Sequence, residues 1–345
     1  MSPMMYMIII SSLTTGTIIT MSSHHWLLAW IGLEINTLAI IPIISMQHHP
    51  RSTEAATKYF LTQAAASAMI LFSSSTNAWY TGTWDITQMT TTHSNILLTL
   101  ALSMKLGLAP LHFWLPEVLQ GSTMTTALII TTWQKLAPMS LIYLTMNNLF
   151  PTILLSLGLL SSMVGGWGGL NQTQTRKIMA YSSIAHLGWM ATVSSIMTNI
   201  LVLNLLIYLT MTTTMFFSLI LSKSKTIQDT TTSWTTSPML TIIMMLTLLS
   251  LGGLPPLTGN MPKWLILEEL TMQNLTLLAL IMAMASLLSL FFYLRLTYTT
   301  TLTLSPNITQ TKHKWRFKPS TNMLPLTIMT PTTLLLLPMT PLIIH

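Results

Sequence analysis

Runs of about twenty mostly apolar residues recur from one end of this 345-residue chain to the other, and only 6% of its residues are charged. A soluble globular protein carries about 25% charged residues, and a chain with so few cannot cover a water-facing surface. The run length is what a helix needs to cross the hydrocarbon of a bilayer. The dyad alternation of membrane β-barrel strands is absent. The expected fold class is therefore an all-α polytopic membrane protein. Eleven spans can be drawn, at about 3–21, 25–46, 54–77, 94–120, 123–146, 150–170, 176–196, 199–221, 237–271, 274–298 and 323–343. The first residues lack a basic start and a small-residue cleavage site, so they read as the first span rather than a removable signal.

Two spans are interrupted. Leu102–Gln120 (LSMKLGLAPLHFWLPEVLQ) contains Gly107 and Pro110, and Leu249–Glu268 (LSLGGLPPLTGNMPKWLILE) contains Gly252, Pro255 and Pro256. Setting Leu106-Gly107 on Leu251-Gly252 puts Pro110 on Pro255 and leaves Pro116 one residue short of Pro262. Paired Gly/Pro-interrupted spans in two halves of a chain point to an ion path. Backbone groups freed at such breaks are tolerable only where protein or water meets them.

Charge gives the topology. If the spans alternate, the loops 47–53, 121–122, 171–175, 222–236 and 299–322 share one face. With adjoining helix ends they carry Arg51, Lys58, Arg176, Lys177, Lys223, Lys225, Lys312, Lys314, Arg316 and Lys318; the opposite loops carry no Lys or Arg. Every loop that bears a basic residue obeys the positive-inside rule. The N-terminus is expected on the basic, matrix or cytoplasmic side and the C-terminus opposite.

Four basic residues remain. Arg295 lies near a span end, where it can snorkel to the interface. Lys105, Lys135 and Lys263 do not, and Glu34 lies mid-span in WIGLEINTLAII. An ion at mid-membrane costs about 2.5–3.5 kcal/mol on insertion scales, so such groups face the bundle interior, paired or hydrated, and are functional candidates. A lysine desolvated there changes basicity as an anion approaches or withdraws, which makes a Glu34–Lys105 pair a physical route to a proton relay. The alternative is a static Glu34–Lys105 lock between helices. His112, just after the first break, and His186, in KIMAYSSIAHLGWM, are further relay candidates, each equally readable as a neutral hydrogen-bonded group.

Other chemistries lack their motifs. There is no cysteine, and no G-x-G-x-x-G follows a strand. No His set has metal spacing. No metal or redox cofactor site, and no nucleic-acid partner, is expected of this chain; its first partner is the lipid bilayer.

The stretches LSMKLGLAPLHFWLPEV, GGLNQTQTRKIMAYSSIAHLGWM and LSLGGLPPLTGNMPKW closely resemble the antiporter-like core subunits of mitochondrial respiratory complex I, over essentially the whole chain. The abundance of Met (28 residues) and Thr resembles mitochondrially encoded proteins. The resemblance implies a single membrane domain of two inverted five-helix repeats, about 1–147 and 148–300. A matrix loop at about 299–322 and a final helix at about 323–343 would follow. It implies that Glu34, Lys105, Lys135 and Lys263 form a proton-conducting hydrophilic axis. NADH, FMN, iron–sulfur clusters and ubiquinone would be bound by other subunits of the complex. The neighbours would be membrane-arm subunits, including NADH dehydrogenase subunits 4 and 4L, in the mitochondrial inner membrane. A stand-alone cation/proton antiporter and an assembly scaffold are the competing readings.

Overall fold

Proline and glycine punctuate the chain where its helices begin and break. In the computed structural model, which describes residues 3–302 and 323–339, the chain is helical, with no strand among the described residues. The helices are α1 Pro3–Ser22, α2 Trp26–Ile44, α3 Pro50–Thr81, α4 Thr92–Leu106, α5 Trp114–Gly121, α6 Met124–Thr131 and α7 Trp133–Thr145. They continue with α8 Pro151–Gly169, α9 Thr175–Ser194, α10 Thr198–Ser222, α11 Ile227–Thr236, α12 Pro238–Gly252, α13 Asn260–Met272, α14 Thr276–Leu302 and α15 Leu324–Leu335. The basic cluster Lys312–Lys318, most of the expected 299–322 loop and the end of the expected final helix lie outside the described residues.

Pro50 opens α3 at its first turn, where a missing N–H costs nothing. His49 Nδ1 accepts from the Arg51 amide, and Ser52 Oγ accepts from the His49 amide at 3.1 Å. Thr226 and Asp229 make the reciprocal capping box of α11. That helix was not expected: residues 222–236 read as a loop, because only the cap, not an apolar stripe, announces it.

Among the described residues, five helices are by themselves long and apolar enough to cross a membrane: Pro3–Ser22, Trp26–Gln47, Pro151–Gly169, Thr198–Ser222 and Thr276–Thr301. The interrupted spans fall short singly because each is two helices, α4 with α5 and α12 with α13. The expected continuous span 123–146 is also divided, into α6 and α7, at Thr132. There Thr131 and Thr132 turn their hydroxyls back onto the carbonyls of Ala127 and Leu128, at 2.9 and 2.7 Å. Such back-bonding competes with the helix ladder and bends it.

Two compact units result, Met1–Ser161 with Met190–Thr198, and Ser162–Trp189 with Asn199–His345, so α8 and α9 contribute to both. Within the first, the loops sort to ends. His25 bridges Asp85 and stacks on Trp84, the Trp26 amide donates to the Trp84 carbonyl, and Asn148 reaches the Thr87 carbonyl. Residues 24–26, 84–87 and 148 therefore meet. Elsewhere in that unit Lys58 pairs with Glu117 at 2.7 Å, and Gly121 packs on the Arg51 carbonyl. In the second unit Gln174 bridges Thr226, and Thr175 donates to the Lys225 carbonyl at 3.0 Å. The glycine run of α8 serves close packing: a Cβ on Gly165 would stand 2.6 Å from the Ala185 amide nitrogen of α9.

Candidate functional site

Each broken span ends its first half on a left-handed glycine, Gly107 (φ 79°) and Gly253 (φ 81°). Without a Cβ, glycine takes this conformation at no steric cost and closes a helix C-terminus. The register expected from sequence was therefore one residue off. The counterpart of Gly107 is Gly253, not Gly252. Gly107 on Gly253 puts Pro110 on Pro256 and brings Pro116 onto Pro262, removing the mismatch.

The residue before each left-handed glycine, Leu106 or Gly252, presents its carbonyl to a buried lysine. Lys135 of α7 donates its ammonium to Leu106 O, and Lys263 of α13 donates to Gly252 O at 2.9 Å. Both lysines are buried, 2% and 8% exposed. The partner of each is a backbone carbonyl rather than a carboxylate side chain. A cation at a helix C-terminus is favoured both by the unpaired carbonyls and by the negative end of the helix dipole. The Lys135 ammonium also lies 5.6 Å from the Trp114 ring centroid, and Tyr59 meets that ring edge-on at 5.8 Å.

Lys105, in the last turn of α4, is 4% exposed, and its ammonium has no hydrogen-bond partner among the described residues. Glu34 lies within electrostatic range of it without a direct ion pair between the two, and accepts from the Thr37 hydroxyl at 3.1 Å. Lys58 pairs with Glu54, at 2.5 Å, and with Glu117. Glu34 and Lys105 are neighbours rather than a closed bridge. A cavity of about 10 Å³, the space of one water, is lined by Lys105, Lys135, Asn36, Gln63, Gln134 and Tyr59 among others. Gln134 donates to the Asn36 carbonyl at 3.3 Å. The amides Asn36, Gln63 and Gln134 and the aromatics Trp114 and Tyr59 were not anticipated. Their signal, polar residues inside apolar spans, is weak beside an ionised group.

His112 is buried with its ring 4.3 Å from that of Phe113, and it does not line this cavity. In the second unit His186 is buried within electrostatic range of Lys263, its ring 5.7 Å from that of Tyr208. Arg295 does not simply snorkel. Its guanidinium donates to the carbonyls of Leu170, at 2.5 Å, and Gln172, just past the end of α8. Among the described residues no group of three His, Cys, Asp or Glu could hold a metal ion.

Residues 23–289 match the family model of the membrane segment of NADH:quinone oxidoreductase and Mrp antiporters, and residues 290–344 match that of the NADH dehydrogenase subunit 2 C-terminus. The NADH-ubiquinone oxidoreductase chain 2 of Varanus timorensis is 57% identical over 345 residues, covering 100% of both chains. A chain of respiratory complex I from Thermus thermophilus superimposes with a TM-score of 0.84 at 25% identity, over 97% of this chain and 78% of that one. A chain of the Mrp complex from a Dietzia species shares the fold, with a TM-score of 0.82 at 14% identity over 97% and 75%. Interrupted apolar helices, buried lysines and full-length similarity converge: the chain belongs to the NADH-ubiquinone oxidoreductase chain 2 family, within the NADH:quinone oxidoreductase/Mrp antiporter membrane proteins.

Proposed function

We infer that the chain is a core membrane-arm subunit of the mitochondrial NADH:ubiquinone oxidoreductase, where it contributes to proton translocation coupled to electron transfer from NADH to ubiquinone. The observation that carries its part in translocation is the placing of Lys135 and Lys263 on equivalent carbonyls of the two broken helices. Each lysine binds where a half-helix ends and where backbone groups are available to water or protein. Loss of its proton removes the charge that the carbonyl holds, so proton transfer and local backbone geometry are linked. Glu34, Lys105, Lys135 and Lys263 act as relay groups, with His112 and His186 as further members, around the breaks at Gly107, Pro110, Gly252, Pro255 and Pro256. Glu34, near Lys105 but not bridged to it, modulates the charge of that lysine without sequestering it.

Moving one charge against a potential of about 100 mV needs roughly 2.3 kcal/mol. That energy comes from oxidoreduction in other subunits, which hold NADH, FMN, iron–sulfur clusters and ubiquinone. The neighbours are other membrane-arm subunits, among them NADH dehydrogenase subunits 4 and 4L. The chain makes eleven crossings in two inverted five-helix repeats plus a final helix, with its N-terminus in the matrix and its C-terminus in the intermembrane space. The meeting of residues 24–26, 84–87 and 148, apart from any Lys or Arg, supports this alternation. A native gel of mildly solubilised inner membranes, probed for this chain and stained for NADH oxidation, tests the assignment. The chain is expected in a large NADH-oxidising band. Migration as a small species away from that activity would favour the stand-alone antiporter instead.

A further inference from the structure

The second break has a tie outside its own span. Thr258 lies in the turn between α12 and α13, and its carbonyl accepts from the Met261 amide at 3.2 Å in the first turn of α13. Its hydroxyl donates to the carbonyl of Thr333, in the last turn of α15. Both threonines are buried, 1% and 0% exposed. Carbonyls in a helix's last turn have no intrahelical partner and need a donor from elsewhere when buried. Thr258 supplies one. In the register set by the left-handed glycines, the first break has His112 at this position. The tie also crosses a family boundary. Thr258 lies in the part matched to the membrane proteins shared with antiporters, and Thr333 in the part matched to the subunit 2 C-terminus.

We propose that Thr258 is a positioning residue for Lys263: by holding the Thr333 carbonyl of α15, its hydroxyl fixes the turn between α12 and α13 so that Gly252 O stays opposite the Lys263 ammonium. The turn is short and tightly filled. A Cβ on Gly253 would stand 2.8 Å from Lys263 Nζ, and one on Gly259 would overlap the Ser250 carbonyl. Shifting either end of the turn therefore moves the carbonyl relative to the lysine. Helix α15, which belongs to neither half of the broken span, thus sets the geometry of a lysine through the Thr258 side chain.

The inference rests on Lys263 taking part in translocation, and the test separates the two ideas. The intact complex is prepared with Thr258→Val, which keeps the shape and removes the donor, with Thr258→Ser, which keeps the donor, and with Lys263→Met. Protons pumped per NADH oxidised are measured in vesicles, with assembled complex quantified on native gels. Thr258→Val is expected to fall toward the Lys263→Met value, while Thr258→Ser stays at the unsubstituted value. If Thr258→Val reduces assembly, Thr258→Ala, smaller and equally without a donor, is read in its place. An unchanged ratio in the donorless variant overturns the inference, as does an equal fall in Thr258→Ser. Normal pumping by Lys263→Met would instead overturn the role of Lys263, and the positioning claim with it.

Discussion

Lys135, in the first turn of α7, donates its ammonium to the backbone carbonyl of Leu106, the last residue of α4, immediately before the left-handed turn at Gly107. Lys263 and Gly252 repeat the relationship in the second unit. Removing the ammonium leaves a buried carbonyl without its donor, a loss of about 1–3 kcal/mol. Lys135→Met and Lys263→Met should each lower the thermal stability of the assembled complex modestly without preventing assembly. Native gels after graded heating check this. Arginine should not restore the contact, because its planar fork differs in shape and reach from an ammonium.

The two left-handed glycines should respond differently to alanine. Both substitutions carry the left-handed penalty of about 1–2 kcal/mol. At Gly107 the added methyl meets Leu115 at 3.1 Å, an apolar neighbour. At Gly253 it meets Lys263 along its length, 2.8 Å from Nζ and 3.1 Å from Cδ. The lysine must move, and it moves off Gly252 O. Gly253→Ala is therefore expected to lower protons pumped per NADH more than Gly107→Ala, at similar levels of assembled complex. Proton uptake and NADH oxidation measured on the same vesicles decide it.

Arg295 ties α14 to the carbonyls that follow α8. Arg295→Ala frees both, and Arg295→Lys cannot reach two carbonyls with one ammonium in the same planar arrangement. Both variants should show faster backbone amide exchange in residues 170–174 than the unsubstituted complex, with Lys intermediate. Hydrogen-exchange mass spectrometry of the intact complex reads this directly.

The cap of α11 carries a pH signature. Partial burial pushes the Asp229 carboxyl up, but the amide hydrogen bonds from Thr226 and Lys225, with the Thr226 hydroxyl and the Lys225 charge, together outweigh it and hold the group below its ordinary value. A carboxylate depressed in the folded state stabilises it above the unfolded value and loses that contribution as pH falls through the folded one. The ordering of residues 225–236 should therefore be constant from about pH 8 to pH 5 and weaken only in acid, below the ordinary carboxylate range. Asp229→Asn should be looser than the unsubstituted helix at neutral pH and show less of the acid dependence. Amide exchange over this segment against pH is the check.

The apolar runs, the two interrupted spans and the buried charges Glu34, Lys105, Lys135 and Lys263 are legible in the sequence because each violates a simple expectation: too few charges, prolines mid-span, ions mid-membrane. The register of the breaks is not, since Gly252 and Gly253 are chemically identical and only the backbone turn selects the second. The interruption at Thr132 is hidden for a different reason. Threonine is ordinary in such helices, and its bending effect depends on which way the hydroxyl turns. The partners of Lys135 and Lys263 escape notice because a backbone carbonyl has no letter in the sequence. α11 is short and polar and shows itself only through Thr226 and Asp229.

The account depends most on the buried charges taking part in coupling rather than holding helices together, and Glu34 with Lys105 separates the two. Glu34 lies near Lys105 without bridging it, so Glu34→Gln and Lys105→Ala should both assemble. The measurement is protons pumped per NADH oxidised by intact complex in sealed vesicles. Both variants are predicted to assemble to near-normal amounts and to pump fewer protons per NADH. Normal pumping per NADH in both would contradict the relay, and the buried charges would then stand as structural.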